Sequence, residues 1–326
     1  MAFYYTQKRH LIAMIFPVVG SFELFIDGVT LTILTYAMLT LAVTTASTTF
    51  TRMKEPLADR DITVEHLQAT QRTVDLTQSP AAEYDVGFVY PGRLMEGGVI
   101  SARHNIPWVN GRDAIVTSRN KAAVLATLAQ TNIPVPETRV ISNPIDHDAV
   151  IEAVDTLSFP VVIKPNSATR GIGVTTASDI DSLLGIIDYL DLVHDYQATG
   201  DKSYLIQEFL PNARDYRVMV VNGNVVGGVE RRISNSHADV DNEQWKHNVH
   251  RGATAHGVQI PDQYQELAIK TAAVLDINYL GVDILVTDQR AVVSETNARP
   301  TIDDTEKYDA DFWDQLSTLI RQTAEA

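Results

Sequence analysis

The sequence predicts an α/β (α+β) protein in which a small doubly wound α/β domain precedes a larger domain of mixed sheets. From Met38 onward, a short apolar strand, an amphipathic helix and a second strand follow directly as LTLAVTT, TFTRMKEPLADR and ITVEHL. Farther along, the runs DYRVMVV and NVVGGVERR flank Asn222-Gly223, which is a strong hairpin signal. A chain of 326 residues has room for two or three such units.

The first layer continues with YDVGFVY, an apolar strand that ends at Pro91-Gly92 and is followed by the flexible pair Gly97-Gly98. IPWVNG then predicts a further short strand with a turn. This layer is too short for a full dinucleotide-binding domain. No G-x-G-x-x-G follows its first strand, and the chain contains no P-loop motif, which argues against both common nucleotide-binding folds.

The second half alternates helices with apolar strands. The helix SRNKAAVLATLAQTN is predicted to be capped by Ser118 and closed by Asn132. Further helices are expected at 179–193, at 262–276 and from about 311. The remaining strands are VVIKP, YLIQEFL, GVDILVT and AVVSETN.

Composition limits the function. The 41 acidic and 26 basic residues give a net charge of −15, which argues against a general nucleic-acid binder. Asp outnumbers Glu by 27 to 14 and Arg outnumbers Lys by 18 to 8, a skew typical of adaptation to a salt-rich cytoplasm or of an ordinary acidic cytosolic enzyme. The absence of cysteine excludes disulfides, thiolate metal sites and cysteine nucleophiles.

An apolar run from Leu11 to Ala37 is about long enough to span a bilayer. Glu23 and Asp27 lie near its middle, where charges are costly, and it lacks the cleavage site of a secretory signal. We therefore expect residues 1–37 to come from an upstream start, with the working protein beginning at Met38 in the cytoplasm. Membrane anchoring by this segment is the alternative.

The clearest chemical pattern lies near the C-terminus. Asp283 lies on the strand GVDILV, and Glu295 and Asn297 lie two residues apart on VVSETN, so they share one face. A hairpin through 287–290 would bring Asp283 beside them. Magnesium prefers such hard oxygen ligands, although two carboxylates and an amide on strands are also compatible with ordinary surface residues.

The cations form a second pattern. Lys164 ends an apolar strand, where a lysine usually has an anionic partner. The loop beyond it, residues 167–174, has glycines and hydroxyls suited to phosphates, although most such loops are merely turns. The arginines beside apolar strand residues indicate an anionic ligand or, alternatively, structural ion pairs with the abundant Asp; they are Arg217, Arg231, Arg232 and Arg251.

Taken in order, VVIKP, a Gly-rich loop, IQEFL, a D-x-R strand, ERR, NVHRGA, GVDIL and E-x-N resemble the RimK-like branch of the ATP-grasp superfamily, which includes α-L-glutamate ligases. The resemblance begins at about Ser118 and reaches the C-terminal helix. It implies an ATP-grasp domain at 118–326, with a central lid subdomain at 118–203 and a catalytic subdomain at 204–326. Residues 38–117 would form the small N-terminal domain.

The resemblance also implies roles for individual residues. One or two Mg²⁺ (or Mn²⁺) ions would be held by Asp283, Glu295 and Asn297. ATP would be bound by Lys121, Lys164, the loop residues Thr169, Gly171 and Gly173, the adenine hinge Gln207, Glu208 and Phe209, the ribose acceptor Asp215, and Asn248. The transferring phosphoryl group and the acyl-phosphate would be neutralised by Arg217, Arg232 and Arg251.

The implied activity is an ATP-dependent carboxylate–amine ligase that adds L-glutamate to a small-molecule or protein acceptor, with no nucleic-acid partner and a possible homo-oligomer. Alternatives are a ligase for another amino acid or a carrier protein, as in lysine biosynthesis, and an ATP-binding regulatory module without turnover. The run Glu295-Thr296-Asn297-Ala298-Arg299-Pro300 departs from the family, which usually has a small polar residue before the proline. Arg299 is expected either to bind the carboxylate of an amino-acid substrate or to pair with Asp303 or Asp304.

Overall fold

Four β-sheets and eight α-helices make up the part of the chain that the computed structural model describes, which comprises residues 20–26, 29–35, 38–45, 48–168, 171–194, 201–233 and 253–326. Strands β1 (Gly20–Ile26) and β2 (Val29–Thr35) form an antiparallel hairpin. The described part of the N-terminal apolar run is therefore extended rather than helical. None of the helices in the described ranges is long and apolar enough to cross a membrane. The expected start at Met38 stays a prediction.

The N-terminal layer is a parallel three-stranded sheet, as the sequence predicts. Strand β3 (Leu39–Val43) lies between β4 (Ile62–His66) and β5 (Val86–Phe88). Helix α1 (Thr48–Ala58) connects β3 to β4. Its buried face, which includes Met53 and Leu57, packs on the sheet. The predicted strand at 106–111 contributes only one parallel bridge, between Gly87 and Trp108.

The prediction of a flexible segment at Gly97-Gly98 was wrong, because both glycines lie inside helix α2 (Leu94–His104). A Cβ on Gly97 would lie 2.5 Å from Cε1 of Tyr90, closer than side-chain carbons approach each other. Gly97 therefore allows the helix to pack against the tyrosine ring, and the glycine pair is a packing feature rather than a break.

The single helix predicted from Ser118 is two helices. Helix α3 (Arg112–Arg119) ends beside Asn120, and helix α4 (Lys121–Gln130) begins immediately after it. The cap is Asn120, whose side chain accepts a hydrogen bond from the backbone N–H of Ala123. Ser118 is instead buried within α3. Asn132 follows the end of α4 with a φ of 59°, in keeping with the predicted closure.

The central unit is an antiparallel sheet with helices on its outer face. Its strands run in the order β6 (Thr138–Ser142), β9 (Ser203–Glu208), β7 (Val161–Pro165) and β8 (Thr175–Ala177). Helices α5 (His147–Val154) and α6 (Ile180–His194) pack on it through a separate apolar cluster that includes Val161, Ile163, Leu183, Ile187 and Ile206.

The C-terminal unit is a five-stranded antiparallel sheet in the order β12 (Ala253–Gly257), β11 (Asn224–Ile233), β10 (Arg214–Val221), β13 (Tyr279–Val286) and β14 (Ala291–Asn297). The predicted turn is confirmed: Asn222 and Gly223 join β10 to β11 with φ values of 49° and 78°. Helices α7 (Asp262–Leu275) and α8 (Phe312–Glu325) cover the sheet. One buried cluster joins this sheet to the N-terminal one, so the two share a core. The division at 117/118 and 203/204 stays a prediction.

Candidate active site

A cleft of about 1710 Å³ is lined by the four-stranded sheet, the five-stranded sheet and the N-terminal domain. The N-terminal domain contributes Thr48, Arg52, Gly92 and Arg93 to its wall. Sites for one small molecule usually measure roughly 300–1,000 Å³. The cleft therefore has room for a nucleotide together with a second molecule.

The three predicted metal ligands lie together at the β13–β14 hairpin. Asp283 is directly opposite Glu295, and Gly281 is opposite Asn297. The register shifts after Asp283, so that Ser294 is an extra residue in β14 and forms a bulge next to this pair. All three predicted ligands line the cleft. The two-residue spacing and the short turn therefore bring together the side chains that the sequence predicted to meet.

Two arginines hold Asp283. Arg217, its partner across β10 and β13, donates from Nε to Oδ1 at 2.7 Å and from Nη2 to Oδ2 at 2.8 Å. The Nη2 atom of Arg231 lies 3.0 Å from Oδ2 of Asp283 and 2.5 Å from Oδ1 of Asp215. Four buried or half-buried charged side chains thus form one network across three adjacent strands. These pairs of arginine with aspartate, which the sequence allowed as structural ion pairs, line the cleft.

This network sets the protonation state of Asp283. Burial favours the neutral acid, but the charges and hydrogen bonds of Arg217 and Arg231 outweigh it and lower the pKa of Asp283 to about 2. The carboxylate is therefore ionised at neutral pH. The same two acids, Asp283 and Asp215, raise the pKa of Arg231 against the effect of burial.

The donor set fits a magnesium ion. Mg²⁺ is usually held by one or two carboxylates together with phosphates and water. Glu295 has a side chain that is 40% exposed, and Asn297 adds an amide oxygen without further charge. A carboxylate has about four lone-pair positions. Three of those on Asp283 face arginine donors, so one remains. No group of three or more His, Cys, Asp and Glu side chains suited to a metal occurs among the described residues.

Two buried lysines lie beside this set. The Nζ atom of Lys121 lies 3.5 Å from Oε1 of Glu295 and also donates to the carbonyl of Ala168. Lys164 donates to Oε1 of Gln207 at 3.0 Å and to the carbonyl of the bulged Ser294 at 3.4 Å.

Burial lowers the pKa of Lys164 to about 8, with Lys121 adding to the shift and Glu295 and Asp283 opposing it. The ammonium ion is thus held in a place where an additional negative charge would stabilise it.

The predicted adenine hinge lies at the end of β9. Gln207 is buried, and its amide group is bonded at both ends, to Lys164 and to Oγ1 of Thr138 at 2.8 Å. Glu208 forms an ion pair with Arg290 at 2.5 Å. Both residues line the cleft together with Phe209. In these contacts the Gln207 side chain orients Lys164, and the adenine role of the three residues stays a prediction.

The glycines of the predicted phosphate loop have the left-handed backbone conformation that favours glycine. Gly171 and Gly173 have φ values of 66° and 76°. A Cβ on Gly173 would also lie 2.7 Å from Cγ of Pro165. The backbone can therefore approach a ligand closely here, and Gly171 lines the cleft.

A family model described as the RimK-like ATP-grasp domain matches residues 118–316. The chain belongs to the RimK-like ATP-grasp family. Among curated relatives, it is 31% identical over 201 residues to the ribosomal protein bS6–L-glutamate ligase of Escherichia coli O139:H28 (strain E24377A / ETEC). It is also 31% identical over 201 residues to a probable alpha-L-glutamate ligase of Citrobacter koseri. Each match covers 61% of this chain and 62% of the relative, so the chain spans less than two thirds of their length.

Solved structures share the fold of this RimK-like chain. A RimK domain protein of the ATP-grasp type from Sphaerobacter thermophilus aligns with a TM-score of 0.62 at 18% identity, over 88% of this chain and 100% of that one. D-alanine–D-alanine ligase from Bacillus anthracis complexed with ATP aligns with a TM-score of 0.63 at 17% identity, over 88% and 97%. The predicted ATP-grasp fold is therefore confirmed.

Some predicted residues lie outside the part that the structure describes: Thr169, Asn248 and Arg251. Asp215 lies in the cleft wall, bound by Arg231. Arg232 also lines the cleft, and its side chain pairs with Glu230 at 2.5 Å. The ribose role of Asp215 and the phosphoryl role of Arg232 stay predictions.

The proposed pairing of Arg299 with Asp303 or Asp304 was wrong. Arg52, some 250 positions earlier in the chain, takes both carboxylates, at 3.3 Å and 2.6 Å. Lys307 also lies 2.7 Å from Asp303. Arg299 instead donates to the carbonyl of Tyr90 in the N-terminal domain.

Sequence reasoning also missed Arg119, which precedes Lys121 by two residues and lines the cleft. The one available signal was a further arginine at the end of an amphipathic helix in an acidic protein.

Proposed function

We propose that the chain is an ATP-dependent carboxylate–amine ligase that joins L-glutamate to a small-molecule or protein acceptor. One observation carries this proposal. Two buried lysines, Lys121 and Lys164, lie within 3.5 Å of the same strand that presents Glu295 and Asn297 to the cleft. Cations and hard oxygen ligands on one wall suit a metal-bound triphosphate, whose charges both groups stabilise.

In the first step, an oxygen of the acceptor carboxylate attacks the γ-phosphorus of ATP while the bond to the β-phosphate oxygen breaks, giving an acyl-phosphate and ADP. The protein supplies position and charge for this step rather than covalent chemistry. Lys121 and Lys164 would hold the phosphate chain. Arg217 lies in the same wall, where its guanidinium, oriented by Asp283, would face the oxygens that gain charge.

Glu295, Asn297 and the remaining lone pair of Asp283 would hold magnesium, which supplies charge neutralisation between the phosphates. The bulge at Ser294 has a part in this arrangement. The Ser294 hydroxyl donates to the Asp283 carbonyl at 3.2 Å, and its own carbonyl accepts from Lys164. A single irregularity in β14 thus ties the lysine to the hairpin that carries the ligands.

In the second step, the amine of the amino acid attacks the acyl carbon; the C–N bond forms, and the bond from that carbon to the phosphate oxygen breaks. Phosphate and one proton leave. The acyl-phosphate must be kept from water until the amine arrives, and a loop that approaches the phosphates closely serves this purpose. Gly171 and Gly173 provide the backbone freedom for such an approach.

Glutamate is proposed as the amino-acid substrate because of the names of the curated relatives. The curated ligases at 31% identity are named for L-glutamate, but the match covers only 62% of their length. A ligase for another amino acid or for a carrier protein uses the same phosphoryl-transfer residues. An ATP-binding module without turnover is the remaining alternative. It does not need the lysines, the oxygen ligands and Arg217 together.

Phosphate release tests the proposal. The purified chain is incubated with ATP, Mg²⁺, a cell extract and single amino acids at low and high salt, and new products are identified by mass spectrometry. Glutamate-dependent release, with products heavier by whole glutamyl residues, is expected. Release with another amino acid would replace glutamate and keep the ligase. ATP binding without release in any mixture would favour the regulatory module.

A matched pair of variants shows whether the release belongs to this site. Glu295→Gln removes one negative ligand from the hairpin and should abolish phosphate release. Asp288→Asn changes an exposed carboxylate in the turn of the same hairpin and should leave release unchanged. Equal activity of the two variants would refute the placement of the metal site.

A further inference from the structure

Eight arginines of the described part of the chain line the cleft, and they fall into two classes. Six lie within 4 Å of a carboxylate: Arg52, Arg93, Arg214, Arg217, Arg231 and Arg232. The other two, Arg119 and Arg299, have no such partner among the described residues. An arginine held in a partly buried wall usually has an anionic partner, because removing the charge from water is costly.

Both arginines meet at one loop of the N-terminal domain. Arg119 donates from Nη2 to the carbonyl of Gly92 at 2.6 Å, and Arg299 donates to the carbonyl of Tyr90. A Cβ on Gly92 would lie 3.6 Å from the guanidinium carbon of Arg299, so this group packs directly on the glycine. Each guanidinium carries five N–H donors. In each guanidinium, one N–H group is bonded to a carbonyl of the described residues. The other N–H groups of Arg119 and Arg299 are therefore left for a ligand.

The loop is fixed in a strained conformation. Val89, immediately before Tyr90, has a φ of 58°, which is rare for a β-branched residue. Its carbonyl accepts from Oγ1 of Thr44 at 3.1 Å, and the N–H of Tyr90 donates to the carbonyl of Asn110 at 3.0 Å. Such strain is kept where surrounding contacts over-determine the backbone, and it concentrates at functional sites.

The two arginines are also fixed relative to each other. Ser118, next to Arg119, accepts from the N–H of Ala298 at 3.0 Å and bonds the carbonyl of Thr296 at 3.1 Å. Asn110 donates to the carbonyl of Ala298 at 2.7 Å. Buried hydrogen bonds therefore connect the end of α3 to the segment that carries Arg299.

We propose that Arg119 and Arg299 form a carboxylate-binding subsite that holds a substrate carboxylate other than the one that is phosphorylated. Arg299 follows Asn297 by two residues and donates its N–H to Oδ1 of Asn297 at 2.9 Å. Arg119 precedes Lys121 by two residues. The subsite thus adjoins the phosphoryl-transfer end of the cleft rather than the predicted adenine end. It rests on the proposed function, and its carboxylate comes from the amino acid or from the acceptor.

Arginine modification tests the subsite without turnover. The whole chain is treated with phenylglyoxal in the presence of one probe at a time: L-glutamate, L-aspartate, glutarate, or a non-hydrolysable ATP analogue with magnesium. The labelled arginines are then mapped by peptide mass spectrometry. The carboxylates are expected to protect Arg119 and Arg299 together, whereas the ATP analogue is not. Arg112, exposed at the start of the same helix and outside the cleft, is the control and should label equally throughout. Protection by the nucleotide analogue alone, or by none of the probes, would overturn the subsite.

Kinetics then identify the source of the carboxylate. Arg299→Gln and Arg119→Gln should each raise one substrate KM roughly 10- to 100-fold, since each removes a charged hydrogen-bond donor. An increase in the KM for the amino acid would place the carboxylate of the amino acid in the subsite. An increase in the KM for the acceptor would place the carboxylate of the acceptor there. The KM for ATP should stay unchanged, Arg299→Lys should recover part of the loss, and Arg112→Gln should behave as the parent. A raised KM for ATP alone would assign the arginines to the phosphates and overturn the proposal. A parent chain that turns over no amino acid, while glutarate still protects both arginines, would refute the proposed ligase and leave the subsite standing.

Discussion

The pKa of Lys164 predicts that the affinity for ATP decreases at alkaline pH. The ammonium group is buried among Gln207, Ser294 and Lys121, and burial lowers its pKa from the ordinary 10.5 to about 8. If Lys164 contacts the phosphates, only its charged form binds them well. A bound triphosphate stabilises that form, so binding near pH 8 should take up a proton.

The size of the effect follows from the fraction of Lys164 that is charged. With a pKa of about 8, about nine tenths of the molecules carry the charge at pH 7 and about one tenth at pH 9. An apparent dissociation constant is divided by the competent fraction. The affinity should therefore weaken about tenfold between pH 7 and pH 9, or about 1.4 kcal/mol.

Isothermal titration of the protein with magnesium and a non-hydrolysable ATP analogue measures this change. Titrations at pH 7, 8 and 9 in two buffers of different ionisation enthalpy give both the affinity and the protons taken up. Lys164→Arg is the control, because a guanidinium stays charged over this range and reports any pH effect of the nucleotide or of other groups. An affinity of the parent chain that is flat from pH 7 to 9, or that follows the same slope in the arginine variant, would refute the reasoning.

Three further predictions concern stability. Asp283→Asn leaves its two arginine partners without a shared acid and should lower the free energy of unfolding by about 3–5 kcal/mol at neutral pH. Since the pKa of Asp283 is lowered from 3.8 to about 2, titration of this group should cost the parent about 2 kcal/mol of stability between pH 4 and 2, and an equal loss in the variant would contradict the network. Ser118→Ala removes the hydroxyl that bridges the backbone groups of Thr296 and Ala298 at the end of β14 and should cost about 1–3 kcal/mol in chemical denaturation, whereas a neutral result would mean that water replaces it. Gly97→Ala should cost about 1–3 kcal/mol because the new Cβ clashes with Tyr90. A Cβ on Gly98 would lie 3.8 Å from the Tyr90 hydroxyl, so Gly98→Ala should be neutral or stabilising. Similar melting temperatures for the two variants would show that the tyrosine ring moves aside.

The parts of the site that the sequence predicted are those set by local register. Glu295 and Asn297 share a face because strands alternate, and a short turn brings Asp283 back beside them. Asn222-Gly223 fixes the β10–β11 hairpin in the same way. Each of these inferences needs only the period of a strand and the chemistry of a tight turn, both of which can be read over fewer than twenty residues.

The wrong predictions depended on tertiary contacts that the local sequence pattern does not show. Gly97 and Gly98 look like a break in the sequence, but the ring of Tyr90 requires a residue without a side chain in α2. Ser118 looks like a helix cap, yet its hydroxyl bonds to residues 296–298, about 180 positions away. Arg299 has two aspartates nearby in the chain, but Arg52 takes both. A single sequence does not show which of several suitable partners the fold selects.

The same distinction bears on how substrate choice can change within the family. The lysines and oxygen ligands of the proposed phosphoryl-transfer site all lie within the family match at 118–316, on strands and helices that pair directly. Arg119 and Arg299 also lie within it, but the carbonyls that orient them belong to the Tyr90–Gly92 loop, which lies before it. A substitution in that loop would therefore move the proposed carboxylate subsite and leave the phosphoryl-transfer residues in place. On this proposal, two chains with the same residues at 118–316 would accept different carboxylates, because the carbonyls that orient Arg119 and Arg299 lie outside that range.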